Sequence, residues 1–434
     1  MLSNSSNSDA VLSTKRSVLS SGGTRYNDLY YNAMNSSVSL LECTFEYNQI
    51  QSLPSLQFGS TSTINIPNDQ FIDVVILHLV LPAIVANQSI CRGWGYRMIK
   101  SVAWTLGSSN STQIYLQTDS IFQFIMGQAL SAEKRLELLR LSGEEILAPQ
   151  VPLVGEDAPL VEAFLVLALP FSTICDKLPL DTTMLQNNIQ IQIQLENNPY
   201  AVYGGTGIVP SSFITAELIY RMGKLSDQSK SLRREMILSP NLMYSYPFCH
   251  AQSFLTPSFT GQNFGSGNIV QLDLNTFANA DLLAISLGVV LNTDKSPTSL
   301  STPNPWNYAD IYNVRLEFAG QTLFQYPGKM YRLSNMLTGG DQEASQIPGS
   351  IVLAGNTQPF SSVPKDNYLV WFDFSRLRST CLHSHLFNTW RLTNQTLRLT
   401  FNTPLTGIQY TAYMTYYFNA FAELQNGTSA IYID

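Results

Sequence analysis

Charge is scarce in this 434-residue chain. Asp, Glu, Lys and Arg together make up 13% of it, about half the share usual in a soluble domain. Asn, Gln, Ser and Thr stand in their place. A surface poor in charge and rich in neutral polar groups suits extensive burial against partners, because such contacts avoid desolvating ions. Histidine is scarcer still, with four in all. G-x-S-x-G, H-E-x-x-H and Walker-type loops are missing, which leaves no sequence signature of a serine hydrolase, a zinc protease or a nucleotide hydrolase. The adjacent carboxylates Glu144–Glu145 and Glu156–Asp157 fall in polar loop sequence, where solvation accounts for them. The chain reads as a non-enzyme.

The five cysteines (Cys43, Cys91, Cys175, Cys249 and Cys381) are odd in number, widely spaced and without a C-x-x-C pair. That spacing argues against a disulfide framework or a zinc knuckle, and for free thiols in a reducing compartment. No charged-then-apolar leader opens the sequence. The longest apolar run, Val74–Ala86, carries His78 and Pro82 and falls short of the roughly 20 residues that span a bilayer. These features predict a soluble protein made in the cytoplasm. A net charge of −7 argues against a general nucleic-acid binder, which needs clustered positive charge to displace counterions. Six Asn-x-Ser/Thr sequons (at Asn4, Asn35, Asn87, Asn110, Asn394 and Asn426) are about the chance number in so Asn- and Ser-rich a chain and carry no weight.

What the chain does have is period-two alternation. Residues 1–37 are Ser/Asn-rich and aperiodic, a flexible N-terminal arm able to order on a neighbour. From there, Leu41, Cys43, Phe45 and Tyr47 share one strand face. In "IQIQIQLE" Ile189, Ile191, Ile193 and Leu195 point one way and the glutamines the other. Further strands are predicted at 62–66, 71–81, 96–106, 112–118, 163–169 and 213–220, then at 244–255, 268–274, 281–291, 311–318, 322–326, 368–374, 396–401 and 409–418. One helix interrupts them, "AEKRLELLRL" capped by Ser131. After Tyr220 the polar stretch "RMGKLSDQSKSLRREM" is predicted helical as far as Pro240.

The two halves echo each other. "SVAWTLGSSNSTQIYLQ" has its counterpart in "NVRLEFAGQTLFQY", each a strand, a glycine (Gly107 or Gly320) and a second strand. "LVLALPFSTICDKLPL" matches "LVWFDFSRLRSTCLHS", with Cys175 and Cys381 at equivalent places. A repeat of about 200 residues with eight antiparallel strands per copy predicts an all-β chain of two tandem jelly rolls. The expected boundaries are 1–37 for the arm, 38–222 for the first roll, 223–240 for a helical linker and 241–434 for the second roll.

Three groups of residues carry candidate chemistry. "GWGYRMIKSVAWTLGS" (Gly93 to Ser108) puts a Gly-x-Gly turn before an apolar segment. A phosphate-binding loop needs a helix after its glycines, whereas Ile99, Val102, Trp104 and Leu106 alternate as in a strand; the glycines read as a turn entering that strand. Cys381, His383 and His385 would share one face of an extended segment, but no fourth ligand is visible and no metal or other cofactor is expected. Trp306–Asn307–Tyr308 is the one cluster of lectin type, and supports the alternative of a carbohydrate- or receptor-binding double sandwich. The single concentration of charge is Arg221, Lys224, Lys230, Arg233 and Arg234, five of 24 basic residues. It is either a solvated connecting helix or a basic surface facing acidic partners, anionic lipid or nucleic acid.

Two of these segments carry a resemblance. "GWGYRMIKSVAWTLGS" resembles a strand of the major capsid proteins of nucleocytoplasmic large DNA viruses of iridovirus and phycodnavirus type. The matching residues are Gly95, Ile99, Lys100, Ser101, Val102 and Gly107. Tyr96 replaces that family's usual His, and Ser108 its second glycine. "LALPFSTICDKLPLDTTMLQNNIQIQIQL" is similar to the family's Leu-Pro-Phe strand and following turn through Leu169, Pro170, Phe171, Leu178, Pro179 and Leu180. The aromatic run usual after the Phe is missing. These departures imply a distant relative, with smaller viruses of the adenovirus and tectivirus lineage, such as virophages, as an alternative placement. The resemblance implies a double jelly-roll subunit that homotrimerises into pseudo-hexagonal capsomers of an icosahedral double-stranded DNA virus, usually over an internal membrane. Its partners would be neighbouring capsomers, penton and minor capsid proteins, with no sequence-specific nucleic acid. Its place would be the virion, after synthesis in the host cytoplasm. It also implies that the insertions near 120–160 and 327–366 form an outer crown, and that the basic segment 221–234 lies at the inner base.

Overall fold

The computed structural model of the chain describes residues 43–67, 71–82, 88–91, 94–105, 114–117, 140–144, 161–167, 180–182, 188–197, 203–205, 212–225, 244–255, 257–260, 268–273, 281–292, 313–318, 321–327, 351–353, 370–373, 387–388, 396–401, 407–425 and 428–433, with Leu169, Asp227, Ser231 and Met330. Strands dominate them. Those of the first half are β1 (Cys43–Ser52), β2 (Thr61–Ile66), β3 (Phe71–Leu81), β4 (Gln88–Cys91), β5 (Ile99–Thr105), β6 (Ile114–Gln117), β7 (Val161–Val166), β8 (Leu180–Asp181), β9 (Ile189–Leu195), β10 (Tyr203–Gly205) and β11 (Thr215–Leu225). The second half contributes β12 (Tyr244–Leu255), β13 (Phe259–Thr260), β14 (Asn268–Asp273), β15 (Asp281–Leu291), β16 (Asn313–Phe318) and β17 (Gln321–Pro327). It continues with β18 (Ile351–Leu353), β19 (Val370–Asp373), β20 (Phe387–Asn388), β21 (Thr396–Phe401), β22 (Gln409–Gln425) and β23 (Thr428–Ile433). Among the described residues no helix is long and apolar enough to cross a membrane.

Four of these sheets fall into two pairs with one topology. In the first half, one sheet runs β1-β11-β3-β7 and the other β2-β9-β5-β6. Numbered by position among the eight principal strands of that half, the orders are 1-8-3-6 and 2-7-4-5. In the second half, β12-β22-β15-β19 and β14-β21-β16-β17 give the same two orders. Every strand pairing among the described residues is antiparallel, for example Cys43 opposite Leu225 in the first half and Tyr244 opposite Leu424 in the second. First strand paired with last, and each sheet drawing on strands from both ends of the unit, is the jelly-roll winding. The chain is a double jelly roll, as its internal repeat predicts.

The echoing segments occupy equivalent places. β5 pairs with β6 and β16 with β17 as fourth-to-fifth hairpins. β7 and β19 are both sixth strands. Cys175, Cys381, Gly107 and Gly320 themselves lie outside the described residues. Both long insertions also coincide: 118–160 and 328–369 each separate a fifth from a sixth strand.

Alternation decides which face is buried. On β9, Ile189, Ile191, Ile193 and Leu195 are fully buried, while Gln190 is exposed. On β2, Ser62, Ile64 and Ile66 face inward and Thr61, Thr63 and Asn65 outward. β3 contributes Val75, Leu77, Leu79 and Leu81 and β7 contributes Val161, Ala163 and Leu165 to the same core. In the second roll Ile285, Leu287, Val289, Val314, Leu316, Phe372, Met414 and Tyr416 are its counterpart. Each fully buried Ile or Leu contributes about 1.5–3 kcal/mol.

Seven strands, β4, β8, β10, β13, β18, β20 and β23, are not among those expected, and some expected boundaries differ as well. The strand predicted over 96–106 begins at Ile99, because Trp94–Met98 is a short helix, α1. β11 continues through Arg221 to Leu225, where a helix was predicted after Tyr220; β1 pairs with it along its length and holds it extended. Helical backbone is present beyond it at Asp227 and Ser231. β22 reaches Gln425 rather than 418, since β12 and the C-terminal β23 flank its last turn of sheet. Of the helix predicted after Ser131, residues 131–139 lie outside the described residues, and Arg140–Glu144 forms a helical turn.

Replacing Ile191 by Ala should lower unfolding stability by about 2–5 kcal/mol through lost burial and an unfilled cavity. The neighbouring Gln190→Ala should stay within about 0.5 kcal/mol. Guanidinium unfolding of the two variants checks both.

Candidate functional site

The glycine segment is a packing nexus. α1 sits on β7 so closely that a Cβ on Gly95 would come within 2.5 Å of Leu165 Cδ2, 3.0 Å of Ala163 Cβ and 3.1 Å of the Ser142 carbonyl oxygen. Trp94, Tyr96 and Met98 are buried. The Tyr96 hydroxyl donates to the Val166 carbonyl at 3.1 Å, and burial pushes its phenol well above the ordinary tyrosine range, an effect the hydrogen bond offsets in part. Gly143, in the helical turn 140–144, has φ of +95° and lies against the Trp94 indole, where any Cβ would collide. At Gly95 and Gly143 glycine permits close backbone approach. The turn expected at Gly93 and Gly95 is corrected at Gly95, which lies inside α1 because β7 packs against it too closely for a side chain; Gly93 lies outside the described residues.

His78 is the centre of the best-formed polar cluster among the described residues. Register places His78 (β3) opposite Glu217 (β11) and Phe164 (β7). Its Nε2 lies 2.7 Å from Glu162 Oε1 and its Nδ1 3.5 Å from Glu217 Oε2. The ring stacks on Phe164 with centroids 4.3 Å apart and planes 5° apart. Each carboxylate engages its own ring nitrogen, so the cluster ties three strands together on the outer sheet face and offers no shared ligand set. Among the described residues no group of three His, Cys, Asp or Glu is arranged to hold a metal ion. The signal for this cluster was cross-strand register, which a single strand's alternation does not contain.

The basic cluster is divided. Arg221 is half-buried on β11 between Tyr47 and Val74, and Lys224 stands opposite Thr44. Lys230, Arg233 and Arg234 lie outside the described residues. So do Cys381, His383, His385, Glu145, Glu156, Asp157 and Trp306–Asn307–Tyr308, while Glu144 ends the helical turn.

The loop ends repeat as the strands do. In the first roll Phe58 stacks on Phe213 at 5.8 Å, next to the Gln57–Ser212 bridge. In the second, Phe259 stacks on Tyr410 at 6.0 Å, where β13 pairs with β22. Each aromatic pair joins the first connection to the start of the eighth strand. Beside each stands an exposed isoleucine, Ile214 and Ile408. Asn292 reinforces the second corner, donating to Ser258 Oγ at 2.8 Å and accepting from Thr411 Oγ1 at 2.5 Å. At this end a small sheet, β10-β4-β18, joins two first-roll loops to the long insertion of the second roll.

Neither a scan against protein-family models nor a search of the curated proteins finds a match for this sequence. Solved structures do match in fold. A chain of the PBCV-1 virus capsid superposes with a TM-score of 0.62 at 13% identity, covering 91% of this chain and 98% of that one. The Faustovirus major capsid protein gives 0.58 at 11% identity over 88% and 90% of the two chains. A chain of the Sputnik virophage gives 0.55 at 12% identity over 90% and 88%. The shared feature is the double jelly roll.

Two substitutions test the α1 nexus. Gly143→Ala should cost at least about 2 kcal/mol, from overlap with Trp94 and an unfavourable positive φ. Tyr96 has its folded-state pKa raised, so its contribution is complete below the unfolded value near 10 and is lost as pH rises above it. Tyr96→Phe should therefore flatten the alkaline fall in stability by about 1.4 kcal/mol per pH unit, read from denaturation curves between pH 9 and 11.

Proposed function

We propose that this chain is the major capsid subunit of a double-stranded DNA virus, a homotrimer whose six jelly rolls form a pseudo-hexagonal capsomer of an icosahedral shell. The observation that carries the proposal is the repetition of one strand order, 1-8-3-6 and 2-7-4-5, in both halves of one chain. It is supported by fold similarity to capsid chains along nearly the whole length. Threefold symmetry applied to a twofold internal repeat yields a near-sixfold block, and such blocks tile a hexagonal lattice. The role is structural rather than enzymatic, and the internally engaged His78 cluster fits a brace better than a reactive centre.

The two insertions at equivalent positions make the outer crown of the capsomer. The basic segment with Arg221, Lys224, Lys230, Arg233 and Arg234 belongs at the opposite, inner end, where β11 leaves the first roll. There it meets an internal membrane, minor capsid proteins or the neighbouring capsomer by charge attraction. Pentons and neighbouring capsomers complete the partner set, and the virion is the site of action.

Light scattering after size exclusion should give three times the 48.3 kDa chain mass, and negative-stain images a hexagonal outline. A stable monomer would overturn the proposal. Arg233→Glu/Arg234→Glu should leave the trimer intact and impair shell assembly; normal shells from that variant would remove the basic segment from the inner contacts.

A further inference from the structure

Within one chain, the fifth strand of the first roll lies beside the first strand of the second: β6 runs against β12. The same chain carries a second copy of each partner. β17 is the fifth strand of the second roll and β1 the first strand of the first. A contact that joins roll one to roll two inside a chain can join roll two to roll one of the next chain. Repeated head to tail, it closes into a ring.

β17 is built for such a contact. Its pairing with β16 sets Phe324 opposite Leu316 and Thr322 opposite Glu317, so Leu323 has no residue opposite it. This is a β-bulge, a device that re-aims a side chain out of the regular pleat. The side chain turned outward is apolar, and Leu323 is 38% exposed. Around it Gln321, Thr322 and Gln325 are also exposed. The segment Gln321–Pro327 carries no charge, and neither does its equivalent Ile114–Gln117. Charge depletion around an apolar anchor marks the centre of a protein interface. Beside Leu323, the partly exposed Arg315 donates to Thr322 Oγ1 from Nε at 3.1 Å and from a terminal nitrogen at 2.9 Å, and pairs with the Glu317 carboxylate. These bonds fix the backbone from which Leu323 projects.

We infer that β17, anchored by Leu323, docks against β1 of a second copy of this chain, repeating between copies the β6–β12 contact made within each. The inference rests on the trimer reading above and names the surface that builds it.

The test uses the full chain. With photo-reactive benzoylphenylalanine in place of Leu323, irradiation should give covalent dimers and trimers, and peptide mapping should place the link within residues 43–52 of another chain. Links confined to the same chain, to a different segment or to a foreign protein would overturn the inference. Leu323→Glu should raise the trimer dissociation constant by roughly 10- to 100-fold, the loss expected when one buried Leu is replaced by a charge, while the circular dichroism of the monomer stays unchanged. Ile408→Glu, at an exposed loop-end position, should leave the trimer as it is. A wild-type monomer would sink the trimer and this interface together. A wild-type trimer that tolerates Leu323→Glu and links elsewhere would sink this interface alone.

Discussion

Each roll is closed by the antiparallel ladder between its first and last strands. β1 follows β11 from Cys43–Leu225 to Ser52–Glu217, and β12 follows β22 from Tyr244–Leu424 to Leu255–Tyr413. These ladders bring the entry and the exit of each unit to the same end of the sandwich. Two units can then be joined through the short stretch between Leu225 and Tyr244, with no strand of either disturbed. The sixth strand of the first roll begins at the opposite end, where Val161 pairs with Leu81. Both long insertions sit there between fifth and sixth strands, where added length costs little because loop-closure entropy grows slowly. The tandem architecture and the decorated end follow from one pairing.

The legible part of the fold was the part governed by nearest neighbours. In "IQIQIQL" the buried set can be read directly, and it is the observed one. The paired echoes at 101–117 and 313–326 marked equivalent hairpins because strand, turn and strand are local. The short helix α1 was not legible, because what selects it is distant: Leu165, Ala163 and Ser142 leave room for no side chain at Gly95. The continuation of β11 past Tyr220 depends on the ladder from β1, more than 160 positions earlier. That partner overrides the polar composition of the segment. Short strands such as β4, β10 and β18 contain too few residues for alternation to register.

The polar sites divide in the same way. Composition pointed to the basic run after Tyr220, and two of its members turned out to stand on a strand. His78 gave no sign in sequence, since Glu162 and Glu217 lie 84 and 139 positions away. Only the side-by-side order of β7, β3 and β11 assembles it. In a sheet protein, polar clusters are properties of register, and register is set by the whole roll.

The sheet β10-β4-β18 bears on how the chain is made. β4 obtains one neighbour when Gly205 has been synthesised, but its other edge waits for Ile351–Leu353, from the second roll. At ordinary rates of translation that interval is roughly 7 to 30 s. For that time β4 has an unpaired edge, which is open to mispairing with another chain. The final arrival of β18 seals it, so completion of the first roll is timed by the ribosome's progress through the second.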